Sequence, residues 1–67
     1  MKTVEELKAR AKELSKETVA YSKQGIALLE SGNIKEGSSL MRQANETSKR
    51  CQVVVDEIIR REKQLQV

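Results

Sequence analysis

The sequence predicts an all-α fold, an antiparallel hairpin of two long helices, and three observations lead to this prediction. Apolar residues recur at alternating steps of three and four along almost the whole chain. No proline interrupts the pattern, and Ser31-Gly32-Asn33 is the one segment with the composition of a turn. Because so short a connection reverses the chain at once, the two helices are expected to lie side by side. Residues 1–67 are therefore expected to form a single helical-hairpin domain.

The first helix is predicted to span about residues 4–31. Thr3 and Glu6 have the spacing of a capping box, which satisfies free backbone N–H groups at a helix start. Gly32 can adopt the left-handed conformation that often ends a helix. The spacing of the apolar positions averages about 3.5 residues, which is typical of a left-handed coiled coil. We call this line of positions the seam, and on the first helix it comprises Val4, Leu7, Ala11, Leu14, Thr18, Tyr21, Gly25 and Leu28.

The second helix is predicted to span about residues 34–65. Asn33 can cap its start, with Glu36 as the reciprocal partner. The same spacing rule predicts a second seam, which comprises Ile34, Gly37, Met41, Ala44, Ser48, Cys51, Val55, Ile58, Glu62 and Leu65.

Two glycines inside the predicted helices indicate close packing near the turn. Folding the chain at Gly32 places Leu28 against Gly37, and Gly25 against Leu40 or Met41. Glycine in a helix interior costs roughly 0.5–1 kcal/mol relative to alanine, so two in one seam call for a packing reason. Large residues opposite small ones supply that reason, because they fill space without overpacking.

Some apolar residues do not belong to either predicted seam, and we call them the apolar flank. A hairpin of this size leaves part of each helix in water, and the sequence offers no disulfide to strengthen it. We therefore expect the hairpin to bind a partner, which is either a second copy in a dimeric four-helix bundle or a larger protein. The expected binding residues are Val19, Ile26, Leu29, Val53, Val54 and Ile59.

The charged residues mostly suggest solvated, helix-supporting pairs. Acid-to-base pairs occur at four-residue spacing at Glu6–Arg10, Glu46–Arg50, Asp56–Arg60 and Glu57–Arg61. A row of lysines that lacks an acid within it is the exception, and it could bind phosphates. A nucleic acid is therefore an alternative partner, although the chain has a single aromatic residue and that residue is expected in the seam. The candidate phosphate-binding residues are Lys8, Lys12, Lys16 and Lys23.

The composition argues against catalysis. The chain has no histidine, so it lacks the usual acid–base catalyst and the commonest metal ligand. Its single cysteine, Cys51, has no histidine partner and is expected to be a buried structural thiol. We expect no enzyme activity, no small-molecule substrate, no cofactor and no metal.

The charge and the chain start suggest a cytoplasmic protein with no membrane segment. Residues 1–6 carry two acids where a signal peptide would be apolar, and a lone cysteine gives no sign of an oxidising compartment. The net charge of +3 favours solubility and permits weak attraction to polyanions.

Residues 26–60 resemble the small subunit of exodeoxyribonuclease VII, a short helical hairpin. The resemblance lies in Leu29-Glu30-Ser31-Gly32 at the turn, and in Leu40-Met41, Cys51-Gln52 and Asp56-Glu57 beyond it. It implies a non-catalytic subunit that packs on the large subunit of a single-strand DNA nuclease. Cys51 and Gln52 would then be packing residues.

The turn region also resembles one tetratricopeptide repeat. Large and small residues fall at that motif's spacings at Tyr21, Gly25, Leu28, Gly32, Gly37, Met41 and Ala44. One copy of the repeat is present, whereas such arrays need about three.

Overall fold

The hairpin predicted from the sequence is the fold of the chain. A computed structural model describes residues 2–65, which form α1 (Val4–Glu30) and α2 (Ile34–Leu65) packed against each other. The molecule measures 53 × 17 × 14 Å, and its radius of gyration is 15.4 Å. A compact chain of this length would have a radius near 11 Å. The described part of the chain is therefore a single layer of two helices, and its core lies along the line where they meet.

Both helix starts use the predicted residues, but in different ways. At α1 the Thr3 hydroxyl accepts a hydrogen bond from the Glu6 backbone N–H at 3.1 Å, and the Glu6 carboxylate accepts one from the Thr3 N–H at 3.5 Å. This confirms the capping box. At α2 the Asn33 side-chain amide instead donates to the Glu36 carboxylate at 3.3 Å, while the Gly37 N–H donates to the Asn33 carbonyl. The two side chains thus pair with each other.

The turn between the helices is closed by backbone hydrogen bonds. Gly32 has a φ of 88°, the left-handed conformation predicted for it. The Asn33 N–H donates to the Leu28 carbonyl at 2.8 Å, and the Gly32 N–H donates to the Leu29 carbonyl at 3.1 Å. This pair of bonds is a Schellman motif, which satisfies carbonyls left free at the end of α1.

The seam predicted for α1 is confirmed. All of its predicted positions are buried or half-buried. Leu14 is the most enclosed of the large side chains, with 2% of its surface exposed, and Leu7 is also buried. These residues form the α1 half of the core.

The seam predicted for α2 is wrong at several positions. Ser48 and Glu62 are exposed, and so are Ile34 and Leu65 near the helix ends. Thr47 is buried in place of Ser48, and its hydroxyl tolerates burial because it donates to the Gln43 carbonyl at 2.8 Å within the helix. The other predicted positions are buried or half-buried, and they are Gly37, Met41, Ala44, Cys51, Val55 and Ile58. The line of steps of three and four that stays buried or half-buried throughout comprises Gly37, Leu40, Ala44, Thr47, Cys51, Val54, Ile58 and Arg61.

The two interior glycines lie where the helices approach each other closely. A Cβ placed on Gly25 would lie 2.7 Å from Met41 Sδ and 3.1 Å from the Gly37 carbonyl oxygen. A Cβ on Gly37 would lie 2.8 Å from Leu29 Cγ and 3.0 Å from the Gly25 carbonyl oxygen. The contact between Gly25 and Met41 is therefore as predicted. Leu29 covers Gly37 in place of the predicted Leu28, because α2 is rotated from its expected orientation.

Candidate interaction surfaces

The hairpin has two broad faces, because its helices lie side by side in one layer. Lys8 of α1 and Glu62 of α2 form an ion pair across the helices at 3.4 Å, so both lie on the same face. Residues three, four or seven apart lie on the same side of a helix, so the other residues of this face can be identified by counting along α1 from Lys8 and along α2 from Glu62. Ser22, Met41 and Ser48 line one shallow groove, as the rule requires. We call this surface face A and the opposite surface face B.

Face A carries three of the residues predicted for partner binding. Val19 and Ile26 lie on the same side of α1 as Ser22, and Ile59 lies on the same side of α2 as Glu62. Each of the three exposes about half of its surface: 50% for Val19, 48% for Ile26 and 47% for Ile59. Leu29 also borders this face, but it is half-buried because its side chain covers Gly37. Face A therefore presents apolar side chains near both ends of the hairpin.

Face B carries the other two predicted residues. Val53 is 68% exposed, whereas Val54 is half-buried because it belongs to the α2 seam. Both line an open groove together with Leu7, which the sequence places on the seam of α1. The apolar flank is thus not one surface, as the sequence predicted, but two surfaces on opposite sides of the hairpin.

The groove on face B is bordered by charged residues that sequence reasoning treated only as helix-supporting pairs. On α2 a line of residues at steps of four, three, four and three runs past Val53. We call it the Val53 strip, and it comprises Glu46, Arg50, Val53, Glu57 and Arg60. The sequence does contain a signal, which is the order of the charges on either side of Val53. That order becomes informative only because the structure exposes this side of α2 to solvent.

One of the predicted four-residue ion pairs is present, between Glu57 and Arg61 at 2.9 Å. Arg60 pairs with Glu57 instead of Asp56, whose carboxylate accepts a hydrogen bond from Gln52 at 2.9 Å. Glu57 therefore bonds two arginines of its own helix.

The remaining two predicted pairs do not form within residues 2–65. Arg10 pairs with Glu13 at 3.1 Å, because the Glu6 carboxylate is used in the capping box. In the same part of the chain no ion pair joins Glu46 to Arg50. Both of these α2 side chains are exposed to solvent.

The lysine row is less uniform than the sequence predicted. Lys8 pairs with Glu62 across the hairpin, so an acid does lie beside the row. Lys12, Lys16 and Lys23 are exposed, and among the described residues they take part in no ion pair. Three of the four candidate phosphate-binding lysines are therefore open to solvent.

Cys51 is half-buried rather than fully buried. Its Sγ lies 3.5 Å from the Ala11 carbonyl oxygen of the facing helix, which fits a weak hydrogen bond across the seam. Among residues 2–65, no three acidic or thiol side chains converge in a way that could hold a metal ion.

In comparisons with protein families, curated proteins and solved structures, the chain finds no match. Neither described helix contains a stretch that is long and apolar enough to cross a membrane. Function is therefore inferred from the geometry of the hairpin and its two faces.

Proposed function

We propose that this chain is a non-enzymatic assembly protein that pairs with a second copy of itself through face A, as a dimeric four-helix bundle. The observation that carries the proposal is the exposure of Val19, Ile26 and Ile59 on one face of a hairpin that is a single layer thick. Fully burying an exposed large aliphatic side chain contributes about 1.5–3 kcal/mol, and a partner that covers these three half-exposed side chains gains about half of that from each.

The surface area of the hairpin supports a partner of this size. Its accessible surface is 5226 Å². A compact protein of the same mass would expose about 4,300 Å². The difference is about 900 Å², and a standard interface covers about 800 Å² on each partner. One second copy laid along face A would bring the surface of each chain close to that of an ordinary small domain.

The positions of the apolar residues are compatible with an antiparallel dimer. With a rise of about 1.5 Å per residue, Ile26 lies roughly 6 Å from the end of α1 at the turn, and Ile59 lies roughly 37 Å along α2. A twofold axis through the middle of face A places Ile59 of one copy beside Ile26 of the other. A parallel arrangement would instead place Ile26 of one copy beside Ile26 of the other, and Ile59 beside Ile59.

Ile26→Lys tests this proposal, with Ala27→Lys as the matched control. Both changes add one charge in the same turn of α1, but Ala27 is an exposed residue that points away from face A. Light scattering should show a lower molar mass than wild type for Ile26→Lys and the wild-type mass for Ala27→Lys. If both variants keep the mass of the wild-type assembly, face A is not the interface. A wild-type chain that stays monomeric and well folded would point to a different protein as the partner.

A second candidate function is binding to a nucleic acid, and the open lysines on α1 favour it. Lys12 and Lys16 are about 6 Å apart along the helix, a spacing that could follow a phosphate backbone. The resemblance to the exodeoxyribonuclease VII small subunit likewise predicts a protein that works with a nucleic acid, and it stays a prediction. Binding to a single-stranded oligonucleotide should then fall steeply with salt and weaken for Lys12→Glu. An affinity unchanged by both salt and this substitution would remove the candidate.

A further inference from the structure

The Val53 strip on face B is complementary to itself. Along α2 the order is Glu46, Arg50, Val53, Glu57, Arg60. Glu46 and Arg60 each lie seven residues from Val53, and Arg50 and Glu57 lie three and four residues from it, so each acid has a base at a matching or nearly matching distance on the other side. A twofold axis through Val53 that sets two α2 helices antiparallel places the valines together. It also places Glu46 of one copy beside Arg60 of the other, and Arg50 beside Glu57. In such a contact each pair occurs twice, as a symmetric interface requires.

The apolar part of this contact is already present in the hairpin. Val53 exposes 68% of its surface, more than any other large apolar side chain described except Leu65 at the helix end. Leu7 and Val54 line the groove beside it, so a second Val53 would meet an apolar floor. The charged residues lie on either side of this floor, which is the usual arrangement of an apolar centre and a polar rim.

The ion pairs of the free hairpin can be replaced by ion pairs between the two copies without leaving any of these charged side chains unpaired. Arg50 and Glu46 form no ion pair within residues 2–65, and the contact would supply one to each. Glu57 would keep Arg61, to which it is bonded at 2.9 Å, and would gain Arg50 of the second copy. Arg60 would pass from Glu57 to Glu46 of the second copy. The charges therefore fix the register and direction of the two helices more than they add affinity.

We infer that face B binds a second copy of this chain through the Val53 strip, in an antiparallel contact between α2 helices. Faces A and B lie on opposite sides of the hairpin, so one chain can use both at once. A chain with two different symmetric interfaces builds assemblies larger than a dimer. The prediction of assemblies beyond the dimer rests on the proposed function of face A, whereas the contact at Val53 does not.

Complementation between two charge-reversal variants tests the contact. Glu46→Arg places two arginines opposite each other at both ends of the strip, and Arg60→Glu places two glutamates there. Either change alone should therefore abolish the contact. An equimolar mixture of the two restores both opposite-charge pairs, so the contact should return. Lys35→Glu is the control, since it makes the same charge change as Arg60→Glu at an exposed site roughly 27 Å from Val53 along α2.

The readout is molar mass by light scattering across a concentration series, with helicity checked by circular dichroism. Wild type and Lys35→Glu should exceed the dimer mass at high concentration, each single variant should stop at the dimer, and the mixture should regain the wild-type mass. Single variants with the wild-type mass, or a mixture that stays at the dimer, would overturn the inference and leave face A untouched. A wild-type dimer whose single variants are monomers would uphold the Val53 contact and overturn the proposal for face A. A wild-type monomer would overturn both.

Discussion

Gly37→Ala tests the close contact between the two helices at the interior glycines. Alanine is better than glycine in a helix interior by about 0.8–1.0 kcal/mol, so in an isolated helix this change would stabilise. In the hairpin the new methyl group would lie 2.8 Å from Leu29 Cγ and 3.0 Å from the Gly25 carbonyl oxygen. Overpacking of this kind costs about 1–3 kcal/mol, because the backbones must move apart. We expect a net loss of about 1 kcal/mol in the free energy of unfolding.

Two control variants separate packing from helix propensity. Ser39→Ala replaces an exposed residue of the same helix and should stabilise by a few tenths of a kcal/mol. Gly25→Ala should cost less than Gly37→Ala, because its methyl group would press on the flexible Met41 thioether. Urea unfolding followed by circular dichroism at one fixed protein concentration measures all three, since assembly changes apparent stability. If Gly37→Ala instead raises the free energy of unfolding by the full difference in helix propensity, the close approach of the helices is refuted.

Three further substitutions test other parts of the hairpin by the same unfolding assay. Leu14→Ala should cost about 2–5 kcal/mol, because Leu14 is 2% exposed and its loss leaves a cavity in a thin core; a cost below about 1 kcal/mol would mean that this site is not enclosed. Gly32→Ala should cost about 1–2 kcal/mol, because the φ of 88° disfavours any side chain, and an unchanged midpoint would contradict the left-handed turn. Thr3→Ala should cost about 1 kcal/mol through loss of the capping box, whereas Thr3→Ser should cost much less.

The sequence was sufficient to predict the hairpin and the α1 seam, because each local signal agreed with the others. The capping box at Thr3, the left-handed Gly32 and the unbroken apolar spacing of α1 all predict the same helix. The spacing of 3.5 residues is a property of the whole helix, so one weak position such as Thr18 does not change the result.

The α2 seam could not be predicted as well, because several of its positions are occupied by small or polar residues. Thr47 and Ser48 are both acceptable at a half-polar seam position, and the sequence gives no reason to prefer Thr47. The choice depends on the rotation of α2 that lets Leu29 cover Gly37, which is a property of the packed pair. The same rotation brings Val54 to a half-buried position and leaves Val53 in solvent.

The division of the apolar flank into two faces could not be predicted without knowing how the two helices are aligned against each other. Val19 and Val53 are both outside the predicted seams, and the sequence alone does not say on which side of the hairpin each lies. The ion pair between Lys8 and Glu62 shows which side of α1 and which side of α2 belong to the same face, because it joins the two helices. Once the sides are known, the charges around Val53 become a candidate interface.

Molar mass in solution is the measurement that tests self-assembly most directly. Light scattering on the wild-type chain across a concentration series should give a mass of at least twice the 7.6 kDa of one chain, and more than twice at high concentration. Circular dichroism on the same samples should show nearly complete helicity. A constant mass of one chain with full helicity would contradict both proposed interfaces, because the hairpin would then be stable with its apolar faces in water.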